Sequence, residues 1–120
     1  MKDMIMKPKI WLIIIAIMHT FMGVIGSYIT MGGSIDNLAI FLYLGTISVH
    51  LLYVAFMTEG QTQARLAAVL CVPVVVWFII GAIMKLEMLG VPVAEMPSGL
   101  LPIILWTLPA LTGIMNWNSE

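Results

Sequence analysis

Charged side chains are scarce in this sequence, which has 5 Lys and Arg and 6 Asp and Glu among its 120 residues. Soluble globular domains carry about 25 % charged residues. The 9 % charged and 62 % hydrophobic content found here therefore excludes an ordinary water-soluble fold. A mean hydropathy of +1.09 instead predicts a chain that lies in the lipid bilayer. The lack of a basic surface also excludes nucleic acid as a partner.

Residue patterns that carry common enzyme chemistry are missing as well. The sequence has no nucleophile-base pair, paired carboxylates, phosphate-binding loop or zinc-ligand spacing, so it gives no support to an enzyme of hydrolysis or phosphoryl transfer. The single cysteine, Cys71, has no partner for an intrachain disulfide. The 11 methionines are scattered over the chain, which is typical of packing rather than of a metal site.

The few charges divide the chain into four nearly uncharged stretches, each long enough to cross a membrane. At about 1.5 Å of rise per residue, the first stretch spans about 33 Å, and a hydrocarbon core is about 30 Å thick. Continuous apolar runs favour helices, because lipid leaves no partner for unpaired backbone groups. We therefore predict an all-α fold, an integral membrane four-helix transmembrane bundle with up-down topology. Residues 1–120 form one domain, with helices at about 10–31, 38–57, 66–84 and 99–117.

Positive charge is unevenly distributed between the two ends of the predicted helices. Only Lys85 lies on the side away from the termini, whereas the other cations lie on the terminal side, at Lys2, Lys7, Lys9 and Arg65. Because cytoplasmic loops are enriched in Lys and Arg, we predict an integral membrane protein with both termini in the cytoplasm. The longest link, residues 85–98, is predicted to lie at the outer interface.

Two ionisable side chains, His19 and His50, are predicted deep inside the bilayer, where such residues are costly and often functional. Counting from the nearest charged residues, they lie about 15 Å and about 14 Å from the cytoplasmic face. Tyr43, Thr46 and Tyr53 share an arc of about 80° with His50. Gly23, Gly26 and Ser27 share an arc of about 100° with His19, and small residues allow close helix approach. We expect both faces to point inward and to meet.

Three interpretations of this histidine seam remain open at the level of the sequence. Neutral histidines could hydrogen-bond across helices and serve packing alone. They could instead bind a cofactor, such as one haem ligated by His19 and His50, or chlorophylls. They could finally line a small pocket or a proton-linked pathway.

Three short motifs resemble a known family. They are the segment Ile15 to Gly23 with its His19-Thr20 pair, the run Met96-Pro97-Ser98-Gly99, and the run Leu108-Pro109-Ala110-Leu111. They resemble an uncharacterised family of small bacterial four-helix integral membrane proteins with a His-Thr pair in the first helix and a Pro-x-Ser-Gly entry to a proline-bearing last helix. The resemblance implies the architecture and a bacterial origin, and it implies no activity. His50 is not part of the family pattern.

The functional hypothesis from the sequence is a small binding or accessory subunit in the membrane. It packs as a homo-oligomer or in a larger membrane complex, and it would hold a haem or another hydrophobic ligand near His19 and His50. The alternative is a small transporter or channel with a His-lined pathway and a last helix kinked at Pro102 and Pro109.

Overall fold

The computed structural model describes residues 2–95 and 98–118, and the regular elements of these residues are helices apart from a short hairpin. Met96 and Pro97 of the Pro-x-Ser-Gly motif lie outside the described residues. The elements in chain order are α1 (Lys2–Ile5), α2 (Pro8–Thr30), α3 (Ile35–Met57), α4 (Gly60–Met84), β1 (Glu87–Met88), β2 (Val91–Pro92) and α5 (Leu100–Met115).

Three of the helices are long and apolar enough to cross a membrane. Helices α2, α3 and α4 have 23, 23 and 25 residues and mean hydropathies of 2.1, 2.0 and 2.8. Helix α5 is apolar but shorter, with 16 residues. The all-α prediction is confirmed, and α3 and α4 end at the predicted residues, Met57 and Met84.

Helix α4 begins at Gly60, six residues before its predicted start. The polar stretch before residue 66 was expected to be a link, but polarity does not prevent a helix when its side chains find partners. Gln63 is buried, and its Nε2 donates to the carbonyls of Val54, Ala55 and Thr58 at 3.2, 3.0 and 3.0 Å. These bonds satisfy carbonyls at the end of α3 that have no partner within the helix. The link therefore shrinks to residues 58–59.

Helices α2 and α3 lie side by side in opposite directions. The Lys9 ammonium is 5.7 Å from the ring centroid of Phe56 near one end, and the rings of Tyr28 and Phe41 are 5.4 Å apart near the other. Helix α5 in turn packs against α4 and α2.

The tightest packing lies in the half of the molecule that contains the termini. Its buried cluster draws on the first halves of α2 and α4, the second half of α3 and the middle of α5. Its members are Leu12, Ile15, Ala16, Leu51, Val54, Ala55, Ala67, Cys71, Trp106 and Ala110. The opposite half is less filled, and the hairpin β1–β2 lies there.

The hairpin turns at Leu89 and Gly90, whose φ angles are 57° and 80°. Two successive positive φ angles are typical of the two-residue type I′ turns that join the strands of a hairpin. Glu87 pairs with Pro92 and Met88 with Val91 in antiparallel register. Behind the hairpin, Val93 packs so closely on α4 that a Cβ at Gly81 would lie 2.6 Å from its Cγ1. The hairpin is thereby held against the end of α4.

Candidate functional site

Helix α2 changes its hydrogen-bonding pattern halfway along its length. Residues His19–Gly26 form a π-helix, flanked by α-helix on both sides. Its bonds run from residue i to i+5, a rare arrangement that is frequent at functional sites. Gly23 and Gly26 lie in this segment, and glycine weakens the preference for a regular α-helix. The π-helix begins at the histidine that the sequence singled out.

His19 is fixed by two contacts with other helices. Its Nε2 is 2.9 Å from the carbonyl oxygen of Leu44 in α3. Its ring meets Trp106 of α5 edge-on, with 5.3 Å between centroids and 77° between planes. Next to it, the hydroxyls of Thr20 and Ser48 are hydrogen-bonded at 2.7 Å. The His-Thr pair therefore joins α2 to α3, and His19 also touches α5.

A cavity of about 320 Å³ opens beside His19 in the less filled half of the molecule. We call it the His19 cavity. Its walls come from α2, α3, α4, α5 and the hairpin, and no charged side chain is among them. They are formed by Ile15, Met18, His19, Met22, Gly23, Ser27, Met31, Phe41, Leu44, Trp77, Phe78, Met88, Val91, Pro92, Val93, Leu101, Pro102, Leu105 and Trp106. Small-molecule sites have this form: mostly apolar and aromatic walls with a few polar groups.

The residues predicted around His19 are only partly at the cavity. Gly23 and Ser27 line it together with His19. Gly26 is not among its lining residues, and a Cβ there would lie 3.0 Å from the Phe21 carbonyl oxygen. Glycine at this position therefore relates to the geometry of the π-helix rather than to the cavity.

The predicted inward face of α3 points outward in the structure, so the expected meeting of the two histidine faces was wrong. Tyr43 is 70 % and Tyr53 56 % exposed, and Thr46 and His50 are also exposed. The Nδ1 of His50 is bonded within its own helix, 2.6 Å from the Thr46 carbonyl oxygen. We call these four residues the polar face of α3.

The physical reason is that the opposite side of α3 carries the residues that pack inside the bundle, large ones such as Phe41 and Leu51 together with small ones. Ser48 and Ala55 are buried there, and small residues let two helices approach closely. The bond between Ser48 and Thr20 further fixes this orientation. His19 and His50 are consequently not brought to one cavity, and the arrangement offers no place for a haem ligated by both.

The comparisons with known proteins identify no relative. No family model matches the chain. No curated protein and no solved structure matches it either. Inferences about activity therefore rest on the geometry of this chain.

The aromatic lining of the cavity was missed by the sequence analysis. Phe41, Trp77, Phe78 and Trp106 come from three helices, and nothing in their spacing relates them. The Leu44 carbonyl that contacts His19 is a backbone group, so no residue type in the sequence could indicate this contact. One usable signal was present: Phe41, Ser48 and Ala55 recur every seven residues, which is typical of a helix-packing face.

The described residues contain no group of three or more His, Cys, Asp or Glu side chains that could hold a metal ion. The side chains lining the His19 cavity therefore supply apolar and aromatic contact plus a few uncharged polar groups, which are the imidazole of His19, the hydroxyl of Ser27 and the indole N–H groups of Trp77 and Trp106. Such a site can bind and orient an uncharged molecule.

Proposed function

We propose that this chain is a small integral membrane protein of the bacterial cytoplasmic membrane that holds a hydrophobic ligand in the His19 cavity as a binding or accessory subunit. The observation that carries the proposal is the cavity itself, about 320 Å³ in volume, uncharged and lined by aromatic rings around one histidine. Its walls are completed only when four helices assemble.

Four membrane crossings with both termini in the cytoplasm fit the arrangement of the helices. Helix α5, at about 24 Å, is shorter than the bilayer core, but such mismatch is accommodated at modest cost by local thinning. The packing of α5 along α4 and its contact with His19 support the proposal that α5 crosses the membrane at the same depth as α2 and α4. Lys9 and Arg65 lie at the terminal end with Trp117, whose ring is 5.3 Å from the Arg65 guanidinium carbon. Cations and tryptophans of this kind favour a cytoplasmic interface.

Reporter fusions test this topology. Alkaline phosphatase, which is active only outside the cytoplasm, is inserted after Gly90 in the hairpin, after Glu59, or at the C-terminus. We expect activity only for the fusion after Gly90. Activity at the C-terminus would mean that α5 does not cross, and would reject the four-crossing topology.

Ligand retention tests the binding function. We compare the protein purified in mild detergent with two Leu→Trp variants in α5, because Leu105 lines the cavity whereas Leu111 is 49 % exposed and does not. Solvent extraction and mass spectrometry, with a visible spectrum for haem or chlorophyll, should find a stoichiometric apolar molecule in the wild type and in Leu111→Trp. It should be lost in Leu105→Trp. Equal retention in both variants, or no retained molecule in any, would contradict the proposal.

The alternative function is a small transporter or channel with a His-lined pathway. The observation that favours it is that the cavity extends from the hairpin to His19, about halfway along α2. Beyond His19 the buried cluster of the terminal half, with Leu12 and Leu51 fully buried, fills the continuation of such a path. A flux measured in liposomes that disappears in His19→Ala, while assembly is unchanged, would favour transport over binding.

We also propose that the polar face of α3 is where two copies of this chain meet. The Thr46 carbonyl can only accept, so the Nδ1 of His50 donates to it and leaves Nε2 as an acceptor. The hydroxyls of Tyr43 and Tyr53 are donors on the same face. A parallel pair of copies can therefore satisfy the acceptor of each with a donor of the other. In lipid such groups have no other partners.

Oxidative cross-linking in native membranes tests this contact. In a Cys71→Ala background, Thr46→Cys places a thiol on the polar face, and Leu52→Cys places an exposed control thiol about 120° away around α3. We expect a dimer from Thr46→Cys and none from Leu52→Cys. Equal cross-linking, or a monodisperse monomer at every detergent ratio by light scattering, would refute self-association through this face.

A further inference from the structure

The hydrogen bond of His19 determines which of its ring nitrogens carries the proton. A backbone carbonyl oxygen can only accept a hydrogen bond. Because Nε2 lies 2.9 Å from the Leu44 carbonyl oxygen, Nε2 carries the hydrogen and donates it. In a neutral imidazole, Nδ1 then has a lone pair and can only accept. The side chain is thus an oriented hydrogen-bond acceptor.

The Nδ1 atom is open on the side of Gly23. A Cβ built on Gly23 would lie 3.1 Å from Nδ1, so the absence of a side chain keeps this nitrogen uncovered. Within the described residues, Nδ1 has no hydrogen-bond partner. No buried side-chain nitrogen or oxygen there lacks a partner, so Nδ1 is an accessible atom. His19 and Gly23 both line the cavity.

The cavity around this acceptor favours rings. Phe41, Trp77, Phe78 and Trp106 contribute aromatic surfaces to its walls. Aromatic pairs gain from stacked or edge-on contact beyond the area they bury. The lack of charged side chains in the lining disfavours an ionised ligand, because a buried charge needs a partner.

We propose that the His19 cavity selects uncharged ring molecules that carry a hydroxyl, such as phenols and hydroquinones, and that the hydroxyl donates its hydrogen to Nδ1 of His19. This inference rests on the proposed binding function and names its ligand class. Quinones and ethers of the same shape offer only acceptors. They would leave Nδ1 unpaired, so the cavity discriminates against them.

A matched pair of probes tests the hydrogen bond. 2-Naphthol and 2-methoxynaphthalene share a ring system, but only the naphthol can donate. Binding is measured by equilibrium dialysis of protein in lipid nanodiscs against empty nanodiscs, which cancels partition into lipid. We expect the wild type to prefer 2-naphthol by up to about tenfold, since the net contribution of one hydrogen bond corresponds to about that ratio.

Two variants and one control locate this preference. Gly23→Ala covers Nδ1 with a methyl group that would lie 3.1 Å away, and His19→Phe removes the acceptor while keeping a ring. Both should reduce the ratio of naphthol to ether binding to about one. Gly45→Ala is the control, because a Cβ there meets nothing within 4 Å, and it should keep the wild-type preference.

The outcomes separate the two levels of the proposal. If both probes bind the wild type equally, the ligand class is wrong and the binding function stands. If neither probe binds above the empty nanodiscs, the ligand class is wrong, and the retention measurement on Leu105→Trp and Leu111→Trp decides the binding function separately. A nitrogen-15 NMR spectrum gives an independent check that does not depend on variants. The His19 Nδ1 should resonate as an unprotonated nitrogen that shifts with 2-naphthol, and a protonated Nδ1 would overturn the inference.

Discussion

Gly113 of α5 lies in a close contact with the backbone of α4. A Cβ at this position would be 2.6 Å from the Ala64 carbonyl oxygen and 2.8 Å from the Ala68 nitrogen. Both atoms belong to the backbone of a helix, so neither can rotate away as a side chain would. Gly113→Ala therefore forces the two helices apart.

The size of the effect follows from two opposing contributions. Overpacking costs about 1–3 kcal/mol, and alanine in place of glycine returns about 1 kcal/mol of helix propensity. The net loss is up to about 2 kcal/mol, which corresponds to a ratio of folded to unfolded protein lower by up to about 30-fold. Gly45→Ala, where a Cβ has no neighbour within 4 Å, isolates the propensity contribution and should be neutral or stabilising.

Cys71 provides the assay, because it is the single cysteine of the chain and is fully buried. It lies on α4 one turn beyond the contact with Gly113, so a maleimide reaches it only when the helices open. We expect labelling in mixed micelles to need less SDS in Gly113→Ala than in the wild type, and no less than wild type in Gly45→Ala. Labelling of Gly113→Ala at the SDS concentration that Gly45→Ala needs would refute the close contact, because the two variants gain the same helix propensity and differ only in the contact.

Two further predictions concern the link between α3 and α4 and the position of the hairpin. Gln63→Leu should lower the free energy of unfolding by about 1–3 kcal/mol, because it removes the Nε2 donor from the carbonyls of Ala55 and Thr58. In the same SDS titration, Gln61→Leu, at a half-buried site, should change it by less than about 0.5 kcal/mol. Gly81→Ala should displace Val93, whose amide donates to the Leu86 carbonyl at 2.9 Å, and so speed hydrogen exchange of that amide. The double variant with Val93→Ala, which removes the nearest atom, should restore the slow exchange in part. Unchanged exchange in Gly81→Ala would show that the hairpin is not held there.

The sequence could predict the helices because hydropathy alone specifies them. Uninterrupted apolar runs stop before Thr58 and Lys85, and this determined the predicted ends of α3 and α4. The start of α4 was misplaced, because the polar residues before Leu66 were taken as a link. Gln, Ala and Arg are good helix formers, and propensity rather than polarity indicates the helix here.

The hairpin could not be predicted, because its turn uses an unusual residue. Leu89 has a φ of 57°, a conformation that is uncommon for a bulky side chain. The turn signals that precede glycine in hairpins are Asn and Asp. The Leu-Gly pair carried no such signal.

The candidate site was half predicted. The cost of a histidine in an apolar segment singled out His19, and Gly23 and Ser27 followed from helical spacing. The cost of a histidine in an apolar segment also led to the prediction that His50 points inward, because a polar face in a membrane helix was expected to be buried within its own chain. In the structure, the side of α3 with Ser48 packs inside the bundle instead. Helical periodicity shows which residues share a face, but it does not distinguish a face buried within one chain from a face that would contact another copy.

The walls of the His19 cavity belong to every long helix and to the hairpin, so an occupant can bind only the assembled fold. By thermodynamic linkage, a ligand present at 100 times its dissociation constant adds about 2.7 kcal/mol to the stability of the whole chain. Melting curves can therefore report binding of an unknown compound without any assay of activity. If the proposed binding function holds, quality-control proteases in a cell would remove the empty form first, and the amount of this protein in the membrane would rise and fall with the supply of the ligand.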